Sequence, residues 1–170
     1  MNYARKTSQA LLRQMVRLPG FANAHPMQPD STVQGAFELI DGVAHWLKEL
    51  TGMPAIAMSP AAGAHGELCG VMAIRAALDD REGGPTTRQR ILVPDSAHGT
   101  NPASAQMVGW KVVPVQSDAR GDIDLEDFRA KAALHADHLA GCMITYPSTH
   151  GVFEETVHEV CQITHDNGGQ

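Results

Sequence analysis

The sequence predicts an α/β fold in three layers: a mostly parallel sheet with helices on both faces. After Gly52, short apolar runs alternate with helix-type segments to the end of the chain, which is the order expected of parallel strands joined by crossover helices. The last of these runs, residues 140–146, is nearly continuously apolar, as expected of a strand covered on both faces. A chain of 170 residues is long enough to build one such core.

The N-terminal region is predicted to be helical and then extended. Residues 7–16 have the composition of a short helix, with Thr7 or Ser8 as its cap. Residues 21–29 are rich in Pro, Ala and His and have no period, which indicates an extended connector.

Apolar residues at helical spacing predict a longer helix over Gln34–Leu50. Ser31 or Thr32 is placed to cap its start and Gly52 to end it. We therefore expect a single domain over 1–170, made of a helix and connector (1–33) and an α/β core (34–170) whose sheet is incomplete at the C-terminus.

Four strands and four helices are predicted in the rest of the chain. The strands are Ala55–Met58, Ile91–Val93, Trp110–Val115 and Ala140–Tyr146, and the helices cover residues 67–78, 103–108, 124–134 and 155–165. Asp124 is placed to cap the third of these helices. Residues 167–170 resemble a helix end that leads into another strand.

Composition and charge exclude several classes of protein. A net charge of −6 and a pI near 5.8 argue against nucleic acid or an anionic membrane as the main partner. There is no transmembrane-length apolar run and no signal-peptide or other targeting segment. Cys69, Cys142 and Cys161 are odd in number and not closely spaced, which favours free thiols in a reducing compartment. We expect a cytoplasmic protein of bacterial type, or a mitochondrial-matrix protein if the source is eukaryotic.

Two stretches share one plan and point to a ligand site. Residues 55–68 and 91–105 each run from apolar residues through a proline and small residues to a histidine and a helix. Because ligands of open α/β sheets bind outside the carboxyl ends of the strands, two such loops suggest one shared site.

The first of these loops contains Gly63, Ala64 and His65. Small residues before a helix let backbone N–H groups approach a ligand, and the helix dipole favours an anion, so phosphate binding is one interpretation. A plain strand-to-helix turn is the alternative. The loop matches neither GxxxxGK[ST] nor GxGxxG, which argues against a P-loop or a Rossmann dinucleotide site.

His98 and Thr149 follow two other predicted strands. The imidazole of His98 suits stacking on a planar ring or general acid/base catalysis, and the alternative is a histidine that only stabilises its loop. Thr149 suits one hydrogen bond to a ligand, and the alternative is a hydroxyl that caps a turn.

Other site types lack their sequence patterns. His158, Cys161 and His165 fall on one helical face, but neither CxxC nor HExxH nor another zinc spacing occurs. We therefore expect no metal. Because GxSxG is absent, a serine hydrolase is disfavoured.

Four segments resemble the P-protein family of the glycine cleavage system, the glycine dehydrogenases (decarboxylating). They are SPAAGAHGE (59–67), DSAHGTNPASA (95–105), ITYPSTHGVFEE (144–155) and LPGFANAHP (18–26). The eleven-residue run from Asp95 is specific enough to disfavour another pyridoxal-phosphate decarboxylase.

The resemblance implies the large domain of a fold-type-I pyridoxal-phosphate (PLP) transferase. In this family the position of Gly63, Ala64 and His65 binds the cofactor phosphate. His98 then corresponds to the residue that stacks on the pyridine ring, with acid/base catalysis as a second role, and Thr149 to the one that reaches the phenolic oxygen.

The resemblance also implies a reaction and partners. The family decarboxylates glycine and transfers the aminomethyl group to the lipoyl arm of H-protein, an oxidoreductase step of glycine catabolism. Glycine, H-protein and a second P-protein subunit or chain are therefore the expected partners.

The sequence departs from the family at its catalytic lysine. Family members carry an aspartate for the pyridine nitrogen and a His-Lys pair whose lysine forms the Schiff base, and both lie beyond the Gly-Gly-Gln segment. The lysines here are Lys6, Lys48, Lys111 and Lys131, and none follows a histidine. We expect a fragment that is inactive alone; the alternative is a non-catalytic remnant that pairs with a full P-protein subunit.

Overall fold

The computed structural model describes the backbone of residues 2–170 and the side chains of residues 9–170. It contains two compact units, Met1–Ser59 and Pro60–Gln170. The expected single domain with a division at residue 33 stays a prediction, while the helix that starts at Gln34 belongs to the first unit.

The first unit is helical. Its elements are α1 (Asn2–Met15), α2 (Pro19–Ala22), a 3₁₀ turn (Asp30–Thr32) and α3 (Gln34–Thr51). The predicted start of α1 is wrong, because the helix begins at Asn2 and Thr7 and Ser8 lie inside it. The run Ala4-Arg5-Lys6 consists of strong helix formers, which explains the extension.

Helix α3 ends as predicted but starts differently. Gly52 ends it in the left-handed conformation (φ 68°), and its N–H donates to the Lys48 carbonyl at 2.8 Å. The predicted cap by Ser31 or Thr32 is wrong: Val33 flanks the helix without a side-chain cap, and the Thr32 hydroxyl donates to the Pro29 carbonyl at 2.7 Å.

The predicted strand Ala55–Met58 is also wrong. This segment has no regular secondary structure and no ladder partner in the described part of the chain. An apolar run with strand composition becomes a strand only when another strand pairs with it, and a single sequence segment does not contain that partner.

The second unit is the predicted three-layer α/β structure. Its elements are α4 (Gly63–Glu82), β1 (Arg90–Pro94), α5 (Thr100–Met107), β2 (Lys111–Val115), α6 (Leu125–Leu134), β3 (Leu139–Cys142) and α7 (Val157–Asp166). The sheet has the order β2-β1-β3, with β1 parallel to both neighbours. A short 3₁₀ turn, Ala136–His138, precedes β3.

Two hydrophobic cores lie on opposite faces of this sheet. Ile91 and Val93 of β1 pack in the core that contains residues of α4 and α5, whereas Leu92 packs in the core that contains residues of α6 and α7. Successive side chains of a strand point to opposite faces, so one strand supplies both cores. The prediction of helices on both faces is confirmed.

Two helices start earlier than predicted. Helix α4 begins at Gly63 rather than Glu67, so the small residues assigned to a loop form its first turn. Helix α5 begins at Thr100, and Pro102 lies in its first turn, where a missing N–H costs no helical hydrogen bond. The predicted cap of α6 is confirmed: an Asp124 carboxylate oxygen accepts the N–H groups of Glu126 and Asp127.

Strand β3 ends at Cys142 and not at Tyr146 as predicted. The Met143 N–H still donates to the Leu92 carbonyl at 2.9 Å. The next bond of the parallel ladder requires an N–H from Pro94, which proline lacks. The chain therefore leaves the sheet at this point.

Gln170 lies beside β3 in a strand-like arrangement. Its N–H donates to the Ala140 carbonyl, and its carbonyl accepts the Cys142 N–H, both at 3.0 Å. This is the bonding pattern of a parallel neighbour. It agrees with the interpretation of residues 167–170 as a helix end that leads into a strand.

The Arg88 guanidinium ties several elements together at the amino end of the sheet. One of its nitrogens donates to the carbonyls of Ala136 (2.8 Å), Leu139 (3.0 Å) and Asn167 (3.2 Å), and its Nε lies 3.3 Å from a Glu82 carboxylate oxygen. The guanidinium also packs against Gly168, whose φ is 79°.

We predict that Gly168→Ala lowers the free energy of unfolding by about 1–2 kcal/mol, because an L-residue in the left-handed region is strained. The added Cβ would also lie 2.7 Å from an Arg88 nitrogen. Urea denaturation measures the change. The matched control is Gly70→Ala, inside α4 with open space around it, which should raise stability by about 0.5–1 kcal/mol. A Gly168→Ala protein as stable as the wild type would contradict this account.

A second prediction concerns α3, none of whose residues is buried. Trp46 and Leu50 are 64% and 81% exposed, and Phe37 and Ile40 are each 46% exposed. We expect self-association that rises with concentration, because exposed apolar patches favour contact between molecules. Light scattering should detect it, and Ile40→Lys should weaken it more than the control Gln34→Lys. A wild-type protein that stays monomeric at high concentration would refute the prediction.

Candidate functional site

The loops after β1, β2 and β3 enclose a small cleft at the carboxyl edge of the sheet. Its lining residues are Pro94, Ser96, Ala97, Gly121, Ile123, Ile144, Thr145, Tyr146, Ser148, Thr149 and Glu154. All of them belong to the second unit. The cleft is where ligands of parallel α/β sheets bind.

The ring of His98 is exposed and held by one neighbour. Its Nδ1 accepts the Thr100 backbone N–H at 3.2 Å and lies 2.9 Å from the Thr100 hydroxyl. Because Nδ1 accepts a backbone hydrogen bond, the neutral ring carries its proton on Nε2. The structure thus contains the backbone contact expected of a histidine that only stabilises its loop. The same contact leaves the Nε2–H group free to donate to a ligand.

Thr149 lies in a turn that its neighbour Ser148 organises. The Ser148 carbonyl accepts the Gly151 N–H at 2.8 Å, and the Ser148 hydroxyl accepts the N–H groups of His150 (3.3 Å) and Val152 (3.2 Å). Turn capping is therefore done by Ser148. The Thr149 hydroxyl is exposed, and no described residue hydrogen-bonds to it.

The first turn of α4 offers unpaired backbone donors. The first helical bond in this region runs from the Gly66 N–H to the Ala62 carbonyl at 3.1 Å. Within the described residues, the N–H groups of Gly63, Ala64 and His65 have no acceptor, the turn has no side-chain cap and it carries no acidic residue. Together with the dipole of a twenty-residue helix, this arrangement suits an anion.

The direction of α4 places this turn toward the carboxyl edge. Glu82, the last residue of α4, pairs with Arg88, which lies two residues before β1. Helix α4 therefore runs antiparallel to β1, and its N-terminus lies toward the edge at which β1 ends. The turn does not line the cleft that contains Thr149, and neither does the ring of His98.

Sequence reasoning missed the residues that hold the loops. Thr100, Ser148 and Glu154 were not singled out. Ser148 had a usable signal, because Ser at the first position and Gly at the fourth is typical of a type I turn. Glu154 is only 8% exposed, but nothing local in the sequence distinguishes it from its exposed neighbour Glu155.

The described residues form neither a metal-binding cluster nor a disulfide. Among the residues that the structure describes, no group of three or more His, Cys, Asp or Glu side chains is placed to hold a metal ion. The three cysteines are free, as predicted, and burial raises the pKa of the Cys142 thiol above its ordinary value. None of the described helices has the length and apolarity that a bilayer crossing needs.

Comparison with known proteins identifies the relatives. No protein-family model matches the chain. A probable glycine dehydrogenase (decarboxylating) subunit 2 from Caulobacter vibrioides is 52% identical over 163 residues. The chain is a homologue of glycine dehydrogenase (decarboxylating). A protein of that name from Nitrobacter hamburgensis is 53% identical over 152 residues. The matches cover 96% and 89% of this chain but only 30% and 16% of the two relatives.

Solved structures agree on the fold of this glycine dehydrogenase homologue. A glycine decarboxylase (P-protein) of the glycine cleavage system, in inhibitor-bound form, superposes with a TM-score of 0.66 at 21% identity, over 94% of this chain and 33% of that one. Oryza sativa TDC with PLP and tryptamine superposes with a TM-score of 0.55 at 16% identity, over 64% of this chain and 25% of that one. The predicted fold-type-I class is thereby confirmed, and the two sequence relatives confirm the resemblance to the P-protein family.

We predict that the neutral ring of His98 is the Nε2–H tautomer, because Nδ1 accepts the Thr100 N–H. Long-range ¹H–¹⁵N spectra at alkaline pH, assigned with His98→Gln, report the tautomer directly. Thr100→Val removes the hydroxyl contact but keeps the backbone N–H, so the tautomer should persist in that variant. A ring protonated mainly on Nδ1 would contradict the geometry.

Proposed function

We propose that this chain holds the phosphate and the ring of PLP in a glycine-decarboxylating enzyme. The observation that carries the proposal is the set of free groups toward one edge of the sheet: the N–H groups of the α4 first turn, the Nε2–H of His98 and the hydroxyl of Thr149. Homology supports it, because the family is PLP-dependent.

The first turn of α4 fits the phosphate. Gly63, Ala64 and His65 present three N–H donors, and no side chain within 4 Å would meet a Cβ built on Gly63. A phosphate needs several donors that converge without a competing acidic group, and this turn meets both conditions.

The two loops fit the ring. His98 presents a planar imidazole whose orientation Thr100 fixes, which suits stacking on a pyridine ring. Thr149 presents a free hydroxyl on a turn held by Ser148, which suits a hydrogen bond to the phenolic oxygen. When bound, PLP supplies the electron sink that lets glycine lose its carboxylate, while the protein supplies binding and orientation.

We infer that the lysine of the family's covalent cofactor link is supplied by another chain, because the family's lysine follows a histidine and none of Lys6, Lys48, Lys111 and Lys131 does. Lys111 lies at the amino end of β2, on the edge opposite the cleft. The Nζ of Lys131 bonds the Pro114 carbonyl at 2.7 Å and an Asp127 carboxylate oxygen at 2.6 Å. Turnover of glycine, with transfer to lipoyl-bearing H-protein, would then need a second P-protein subunit or further chain. A non-catalytic remnant that pairs with such a subunit is the alternative.

The test uses pyridoxamine 5′-phosphate, which binds without a lysine, in calorimetric titrations of the chain. Gly63→Pro removes one N–H donor at the first helical position, where proline is well tolerated. The preceding Ala62 is already extended (φ −153°, ψ 166°), as a residue before proline must be. We expect affinity to fall roughly tenfold, as for the loss of one hydrogen bond to a charged group.

Gly66→Ala is the matched control, because the Gly66 N–H is already bonded to Ala62 and its Cβ would point into open space. It should bind like the wild type. Equal affinity for pyridoxamine with and without its phosphate would refute the proposal. Release of CO₂ from glycine by the chain alone would contradict the need for a lysine from another chain.

A further inference from the structure

We propose that Glu154 is a positioning residue that fixes the loop carrying Thr149 against the loop between β2 and α6. This inference rests on the proposed function of the cleft, which both loops line. Neither homology nor the sequence motifs assign Glu154 a role. It is a buried carboxylate that ligand binding by the α4 turn, His98 and Thr149 does not use.

The side chain of Glu154 is held by two neutral donors. One carboxylate oxygen accepts the Ile123 N–H at 2.8 Å, and the other accepts the Thr156 hydroxyl at 2.7 Å. None of the ion pairs in the described part of the chain involves it. Burial of a carboxylate without a cation is costly, so stability alone is a poor reason for a glutamate at this position.

The hydrogen bond to Ile123 joins the two loops. Among the described residues it is the one hydrogen bond that crosses between the loop after β2 and the loop after β3. Beside it the loops approach closely, since a Cβ built on Gly121 would lie 3.4 Å from Val152 Cγ2. The two loops are therefore joined by one hydrogen bond, at Glu154, beside a close approach at Gly121.

The loop after β2 is held in place by its own hydrogen bonds and by a bond to the residue after β1. Ser117 and Ile123 form an antiparallel bridge within it, and the Ser117 hydroxyl donates to an Asp95 carboxylate oxygen at the end of β1. Gly121 has a φ of 89°, which favours glycine at this turn. Glu154 thus anchors the Thr149 turn to a part of the molecule that is itself tied to the central strand.

The consequence for the site is specific to the ring end of the cofactor. Gly121 and Ile123 line the cleft from the loop after β2, and Ser148 and Thr149 line it from the loop after β3. Without the Glu154 bond, the Thr149 turn loses its polar anchor, whereas the α4 turn keeps its N–H donors. Glu154 therefore acts on Thr149 and leaves phosphate binding unaffected.

The experiment compares Glu154→Leu with Glu154→Gln in the full chain. Glutamine can still accept the Ile123 N–H through its oxygen and can donate to Thr156 through its amide, so it should rescue. Glu155→Leu is the control, because this neighbouring glutamate is exposed. The readouts are amide hydrogen exchange at Ile123 and the affinities for pyridoxamine 5′-phosphate and for inorganic phosphate.

For Glu154→Leu we expect faster exchange at Ile123 and weaker pyridoxamine phosphate binding, each by about tenfold, as for the loss of a charge-assisted hydrogen bond. Affinity for inorganic phosphate should stay unchanged. Glu154→Gln and Glu155→Leu should behave like the wild type. If Glu154 were merely structural, Glu154→Leu would lower the affinities for both ligands together or would change neither of them. Either result would overturn the proposal.

The proposal and the function on which it rests fail in different ways. A wild-type chain that binds neither ligand would defeat the proposed function, and the exchange rate at Ile123 would then decide the role of Glu154 alone. Unchanged exchange at Ile123 in Glu154→Leu would overturn positioning by Glu154, even if the wild type binds both ligands as expected.

Discussion

The pairing of β1 on both sides is the constraint on which the rest of the second unit depends. Ile91, Leu92 and Val93 are at most 3% exposed, and their alternation supplies the cores on both faces. A slip of one residue would exchange the two cores, so the register is fixed by burial. Pro94 then ends the pairing with β3 because it has no N–H, and Met143 is the last residue of that chain segment bonded to β1. The loop that carries Thr149 begins just after this point, so the strand that builds the core also determines where the site starts.

Two charged side chains, the half-buried Arg88 and the buried Glu154, stabilise opposite edges of this sheet by bonding to backbone. At the amino edge Arg88 bonds carbonyls, among them that of Asn167 at the C-terminus of α7, where a cation also complements the helix dipole. At the carboxyl edge Glu154 bonds the Ile123 N–H. In both cases backbone groups of the required polarity help to satisfy the charge, beside one side chain each, Glu82 for Arg88 and Thr156 for Glu154. The consequences differ, since Arg88 joins elements far from the cleft, whereas Glu154 joins two of its walls.

Much of the second unit was predictable from the sequence because its signals are local. Apolar runs and helical spacing located the three strands, the covering helices and the loops of His98 and Thr149. The early starts of α1, α4 and α5 are local errors, whereas in the other failures the deciding atoms lie elsewhere in the chain. The run Ala55–Met58 has strand composition without a partner, and the end of β3 depends on Pro94, some fifty residues earlier in the chain. Likewise, the burial of Glu154 depends on contact with the loop after β2, which no short motif records.

The polar groups of the two loops divide into those that hold the backbone and those that stay free. Thr100 fixes the ring of His98, and the neighbouring Ser148 satisfies the turn that presents Thr149. The Thr149 hydroxyl and the ring Nε2–H of His98 are exposed and have no partner among the described residues, whereas the neighbours that hold them are bonded. Such groups need no local bond to be broken before a ligand binds, and their orientation is already set. Ligand affinity then loses less to ordering, which is why the residues that never touch the ligand determine how well this edge of the sheet can bind one.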